Sequence, residues 1–251
     1  MERPHLDQLI TLEDHYWWHV GKRAFVTRLL RRHAPPPGRL VEGGLGAGGN
    51  LRAMRALGYA VQGFDIMPDA IAHCRARGLP EVAVHDLEQP WPVEAGTLRA
   101  VLLLDVIEHL AEPVAALAHA RRALAADGAV IVAVPAYPWM YGPWDRLLGH
   151  HRRYTRSALR DQARAAGLRV AWLSHWNAFT LPVAIVLRLR ERVRPRRQHA
   201  EFPPVAPVVN HLLRAAAAVE RTISRIVPIP FGLSLVAVLV PDDASTDGAA
   251  P

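Results

Sequence analysis

LVEGGLGAGGN, residues 40–50, runs from two apolar strand residues through an acid into glycines at every second position, Gly44, Gly46 and Gly48. Glycine has no Cβ, so such a segment can turn tightly and bring its backbone against a ligand at the start of a helix. Glu42 stands just before the turn, where a carboxylate can hold a cationic group. On the N-terminal side, Ala34-Pro-Pro-Pro-Gly38 interrupts a helix predicted from Thr11 to His33. Thr11 and Asp14 give that helix a capping-box-like start, and Trp18, Phe25 and Leu29 fall on one face.

On the C-terminal side the chain alternates β-rich runs with helical segments. Strands are expected at Arg39 to Glu42, Ala60 to Asp65, Val82 to His85, Ala100 to Leu104 and Ala129 to Val134. Helices fill the gaps at Asn50 to Leu57, Pro68 to Arg77 and Pro113 to Ala126, stopped by Gly58, Gly78 and Gly128 as left-handed caps. This alternation predicts an α/β fold, a parallel sheet with helices on both faces. A loop rich in Pro, Tyr and Trp follows, then a helix from Ser157 to Ala166 capped by Gly167, and a strand from Arg169 to Ser174. Residues 178–230 hold two helical stretches around a Pro-rich linker, and Leu233 to Val240 is the last strand. The expected organisation is one domain over 1–241: a cap helix (1–33), a core (39–177), a helical insert (178–230) and a final strand (231–241). The small, polar tail 242–251 is expected to be disordered.

With 251 residues and 51% hydrophobic content, the chain can bury one sizeable core. A net charge of +7 would admit nucleic acid or an anionic membrane as partner, but the basic residues are scattered arginines and Lys22 is the only lysine. A nucleic-acid partner is therefore not expected. Cys74 is the sole cysteine, which excludes an intrachain disulfide and suggests a reducing, cytoplasmic compartment. The start MERPHLDQL has no basic region leading into an apolar run, so no secretory signal is expected. The most apolar segments, Phe179 to Leu187 and Leu233 to Val240, fall far short of the ~20 residues of a membrane span.

Taken alone, the glycine run is ambiguous, because Gly44, Gly46 and Gly49 also fit the GxGxxG of dinucleotide-binding proteins, and Asp65 lies where their ribose-binding acid would. Three further motifs follow in order: GFDIMPDAI around Asp65, HDLEQPWP around Asp86 and LLLDVIEHL around Asp105. With the glycine run, they resemble class I S-adenosylmethionine-dependent methyltransferases from about Tyr16 to Gly167, most closely the small-molecule branch that includes ubiquinone-biosynthesis-type enzymes. The resemblance implies a Rossmann-like, doubly wound, mostly parallel seven-stranded sheet whose last strand is antiparallel, with a helical cap insert before it. It implies S-adenosyl-L-methionine as cofactor. Gly44, Gly46 and Gly48 would pass beside its methionine half, with Glu42 near the ammonium and the Leu104, Asp105 and Val106 backbone alongside. Asp65 would accept both ribose hydroxyls, Asp86 would accept from the adenine amino group, and Ile66 and Leu87 would sandwich the ring. One departure stands out, since Leu45 replaces a usually small residue and Gly43 a usually aliphatic one, an exchange that could shift the turn.

HYWWHVGKR, residues 15–23, resembles a helix that closes over the cofactor, with Tyr16, Trp18 and Arg23 as contacts; an amphipathic packing helix is the plainer alternative. After the fifth strand, PAYPWMYGPWDRLLGHHRRYT (135–155) lies where this family meets its acceptor. Tyr137, Trp139, Tyr141 and Trp144 could form an apolar wall. Arg152 and Arg153 would bind substrate or merely lock the loop, and His150, His151, Tyr154 or His109 would serve as base for a hydroxyl acceptor. No metal is expected: His15 and His19 lack further ligands at metal spacing, and adjacent His150 and His151 point apart on an extended chain. Residues 183–198 alternate apolar residues with arginine and could touch an anionic membrane, or form a lid with its arginines in water. The small-molecule acceptor leads over two alternatives, an RNA methyltransferase and a noncatalytic cofactor binder.

Overall fold

The computed structural model describes residues 3–193 and 202–242. Seven strands form one sheet: β1 (Gly38–Gly43), β2 (Tyr59–Asp65), β3 (Val82–Val84), β4 (Leu98–Leu104), β5 (Leu124–Pro135), β6 (Leu168–Trp176) and β7 (Ser234–Pro241). Their order is β3-β2-β1-β4-β5-β7-β6. β1 to β5 pair in parallel, and β7 runs antiparallel between β5 and β6. This is the doubly wound, Rossmann-like arrangement expected from the motifs. The central strands are continuous apolar runs because both of their faces are covered. One face packs Val41, Val101, Leu103, Val130 and Val132 against Leu117 and Ala120 of α5 (Pro113–Ala123). The other packs Leu40, Leu102 and Ile131 against Phe25 and Leu29 of α2 (Trp17–His33).

The remaining helices are α1 (Arg3–Leu12), α3 (Gly49–Ala56), α4 (Pro68–Ala76), α6 (Pro143–Leu147), α7 (Arg156–Ala165), α8 (Leu181–Val193) and α9 (Pro207–Ile223). Gly58, Gly78 and Gly167 adopt the positive φ expected of helix stops. Gly128 does not. α5 ends at Ala123 and β5 begins at Leu124, so Gly128 lies within a strand, where an added Cβ would fall 2.7 Å from the Leu98 carbonyl oxygen. The glycine is there for close strand approach.

The N-terminal region also departs from expectation. Two helices replace one, because Thr11 Oγ1 donates to the Asp7 carbonyl inside α1 and the chain unwinds between Leu12 and Trp17. The insert then grips this break. Asn210 of α9 accepts from Trp17 N at 2.8 Å and donates to the His15 carbonyl at 2.9 Å, while Gly21 of α2 lies close against Ala217. At the far end, Asp242 N donates to the Gly167 carbonyl, so the first residue of the expected tail is held; 243–251 lie outside the described residues. No helix among the described residues is long and apolar enough to cross a membrane.

Gly128→Ala should destabilise by about 1–3 kcal/mol through overpacking, lowering Tm by roughly 3–10 °C at this chain length. Gly142→Ala, whose Cβ would meet only the Met140 carbonyl at 3.8 Å, should leave Tm unchanged or slightly raised. Thermal melts of the two variants check this.

Candidate functional site

The glycine-rich turn leaves β1 and enters α3. Gly44 and Gly46 have φ of 68° and 54°, and a Cβ on Gly44 would sit 2.5 Å from the Val106 side chain. Gly44 N and Leu45 N both donate to the Phe64 carbonyl, which fixes the turn to β2. Leu45 and Gly43 each fit their neighbours' space. Leu45 fills space above Gly63, which has no side chain, and Gly43 leaves room for Leu87 and Leu103. Gly48 closes the turn at φ 82° against Cys74.

Glu42 lies beneath this turn, only 1% exposed. Its Oε1 accepts from Asn50 Nδ2 at 2.8 Å, and its Oε2 is buried with no partner. Burial pushes its pKa up to about 8. A carboxylate in that condition suits a cationic group, and the ammonium of S-adenosylmethionine is one. Asp65 ends β2, accepting from Gly46 N at 3.0 Å on one oxygen and from Met67 N at 2.9 Å on the other. Each oxygen retains a lone pair for a ribose hydroxyl. Asp86 follows β3, whose residues pair directly with the end of β2, so the two acids share one edge of the sheet. Ile66 is 62% exposed beside them, whereas Leu87 is turned into the core under Gly43 and Trp91. Val106 packs on the turn, and Leu104 and Asp105 line the adjoining cavity.

The segment between α1 and α2 reaches this turn through residues that the sequence did not single out. Glu13, 5% exposed, accepts from Gly49 N at 2.8 Å and from Arg52 and Arg77 at 2.9 Å each. Its negative charge occupies the N-terminus of α3, where a dinucleotide-binding fold presents bare N–H groups to a pyrophosphate. Lys22 forms an ion pair with Asp105, which itself holds a positive φ of 56°. The one signal for Lys22 was its being the only lysine among thirty basic residues. Arg23 donates to the Glu13 carbonyl at 2.8 Å and lines the cavity. Tyr16 donates to the Pro203 carbonyl, and Trp18 packs on Trp176 at 4.8 Å.

A cavity of about 1170 Å³ lies beside the turn, roofed by α1, α2, α8 and residues 202–205. Its floor carries Asp105, Glu108, His109 and His150, and Trp144, Met140 and Leu187 form part of its wall. Glu108 is fully buried, and burial together with Asp105 holds its carboxyl well above the usual range. Burial, followed by neighbouring His150, lowers His109 to about 4.

Several expected acceptor residues lie elsewhere. Tyr137 stacks on His175, Trp139 is half-exposed, and Tyr141 donates to the His150 carbonyl, so Trp144 alone of the four aromatics lines the cavity. His151 is exposed outside it, and Tyr154 is buried in the core with its hydroxyl on the Ile107 carbonyl. Arg152 binds the Ala111 carbonyl and locks the loop, whereas Arg153 binds Asp145 and the Ala136 carbonyl and also lines the cavity. The stretch 183–198 divides: Val183, Ala184 and Leu187 line the cavity, Val186 and Leu189 are exposed, and 194–198 lie outside the described residues.

Residues 17–172 match the family model of a methyltransferase domain, and the chain belongs to that family. It is a methyltransferase whose cofactor is S-adenosylmethionine. No curated protein matches the chain. Among solved structures, it is similar to a chain of the Haloferax volcanii complex between the Trm112 methyltransferase activator and a candidate methyltransferase. That match has a TM-score of 0.62 and 21% identity, covering 95% of this chain and 94% of the other. The [4+2]-cyclase SpnF gives a TM-score of 0.60 and 17% identity over 95% and 92%. A phosphoethanolamine N-methyltransferase from Haemonchus contortus, solved with S-adenosyl-L-methionine, gives 0.55 and 18% over 86% and 51%. At these identities the likeness is one of fold, and a cyclase among the neighbours shows that the fold does not set the reaction.

Cofactor binding should release a proton near pH 7, because Glu42, at about 8 when alone, ionises beside the incoming ammonium. Affinity for S-adenosylhomocysteine should therefore rise with pH toward 8. Calorimetry in buffers of different ionisation enthalpy should detect the proton in the wild type and lose it in Glu42→Gln.

Proposed function

We propose that this chain transfers a methyl group from S-adenosylmethionine to a small, largely apolar acceptor enclosed between the glycine-rich turn and the helical roof. The observation that carries this reading is the roofed cavity beside the buried, half-unpaired Glu42. An RNA acceptor would instead favour an open basic face. When bound, the sulfonium supplies an already activated methyl group. The protein's work is then to hold the acceptor in line at ~3–3.5 Å and to exclude water.

Glu42, Gly44 and Gly46 would hold the methionine half, Asp65 the ribose, and Ile66 and Asp86 the adenine edge. Lys22 fixes Asp105 at the boundary between the two halves of the site. Trp144, Met140 and Leu187 would pack the body of the acceptor, and His109 and His150, which line the same cavity, would face its reacting end. An acceptor with a lipid-like chain is favoured by exposed apolar residues on the two insert helices, Val186 and Leu189 on α8 and Val208 and Leu212 on α9.

The test is incubation with methyl-labelled S-adenosylmethionine and a fractionated extract of small molecules and lipids, with total RNA in parallel. Label should enter a small, organic-soluble product. Asp65→Asn should weaken cofactor binding by at least about tenfold, the equivalent of ~1.4 kcal/mol, whereas His151→Ala should bind as wild type. Label entering RNA alone, or equal cofactor binding by both variants, would overturn the reading.

A further inference from the structure

We propose that Glu108, His109 and His150 form a binding site for one divalent transition-metal ion on the acceptor side of the cavity. One ligand atom from each lies within 4.8 Å of the others. Residues 107–109 form a single 3-10 turn, which carries Glu108 and His109, and the 149–151 loop folds back on it through His151 N and the Glu108 carbonyl at 2.8 Å. The His109 and His150 rings stand nearly perpendicular, with centroids 4.6 Å apart.

Three features separate this cluster from ordinary polar packing. Glu108 is fully buried and neither carboxylate oxygen has a hydrogen-bond partner from another residue, an arrangement that is costly unless something neutralises or coordinates it. The two cations nearest to it are committed elsewhere, Lys22 to Asp105 and Arg153 to Asp145. Each histidine also has its orienting partner. His150 Nδ1 lies 3.0 Å from Asp145 Oδ1, and Asp145 is itself buried and held by Arg153 at 2.7 Å and by Gly142 N at 2.9 Å. His109 bonds the Gly149 backbone. A metal-binding imidazole characteristically has such a partner on its other nitrogen, leaving one nitrogen free to coordinate.

Two imidazoles and one carboxylate select zinc, manganese, iron(II) or cobalt over magnesium and calcium, which take oxygen ligands. Three protein ligands leave coordination positions open toward the cavity. If the proposed function holds, an acceptor hydroxyl seated there would lose its proton to solvent more readily. Its oxygen would then form the new C–O bond as the S–C bond breaks, releasing S-adenosylhomocysteine. His109 and His150 would act as ligands, not bases. Ion binding itself does not depend on the identity of the acceptor.

The full chain, stripped with chelator, is titrated with Zn²⁺ by calorimetry and with Co²⁺ by visible absorption. One ion per chain and a Co²⁺ d–d spectrum are expected, with Tm raised by added Zn²⁺. Asp145→Asn should weaken binding about 10- to 100-fold, and Glu108→Gln and His150→Ala should weaken it further; His151→Ala should match the wild type. S-adenosylhomocysteine titrations of the same samples check folding and test the donor reading separately. Absence of the Co²⁺ spectrum in the wild type, or undiminished binding in folded Glu108→Gln and His150→Ala, would overturn the site.

Discussion

The carboxylate of Glu13 seated on the first turn of α3 ties the two parts of this molecule together. One side chain meets the Gly49 N–H and two arginines, at the helix end where the backbone dipoles favour negative charge. To reach that position the chain must leave α1 and restart as α2, so the break between them is a condition of the contact. This anchor joins the N-terminal side of the roof to the turn, beside the packing of α2 on the sheet and the grip of Asn210. It also changes what the glycine-rich turn can bind, because the place a phosphate would take already holds an anion.

The charge pattern around the site runs against that of the whole chain. The protein carries a formal charge of +7, yet Glu13, Glu42, Asp65, Asp86, Asp105 and Glu108 all lie along the edge where the parallel strands end. Glu13 and Asp105 are already paired with basic side chains, and burial raises the pKa of Glu42 and Glu108, so the edge draws a cationic donor chiefly as Glu42 ionises beside its ammonium.

Much of the architecture was legible in the sequence because it rests on short-range rules. Apolar runs and glycine stops placed six of the seven strands within two residues at either end and the start of β5 five residues late, and Glu42 near the end of β1, Asp65 at the end of β2 and Asp86 after β3 lie where the sequence put them relative to those strands. Gly128 was misassigned because a glycine in a strand and a glycine after a helix look alike until strand pairing is known. The Thr11 cap failed for a similar reason, since its hydroxyl had a partner inside α1. Glu13, the Lys22 pair with Asp105, and the meeting of Glu108 with His150 escaped because each is made by tertiary contact across tens of residues. The aromatics of 137–141 were assigned to a wall by composition, whereas backbone direction in that loop sends them elsewhere.

The roof joins segments that are far apart in the chain: Gln8 exchanges hydrogen bonds with Phe202, and Trp17 is met by Asn210. During synthesis, the first helices must therefore wait for the insert to emerge before the chamber can close. The donor-binding turn and its sheet neighbours, contained within the first half of the chain, impose no such delay. The strands that carry the donor-binding residues thus emerge before the segment that completes the roof.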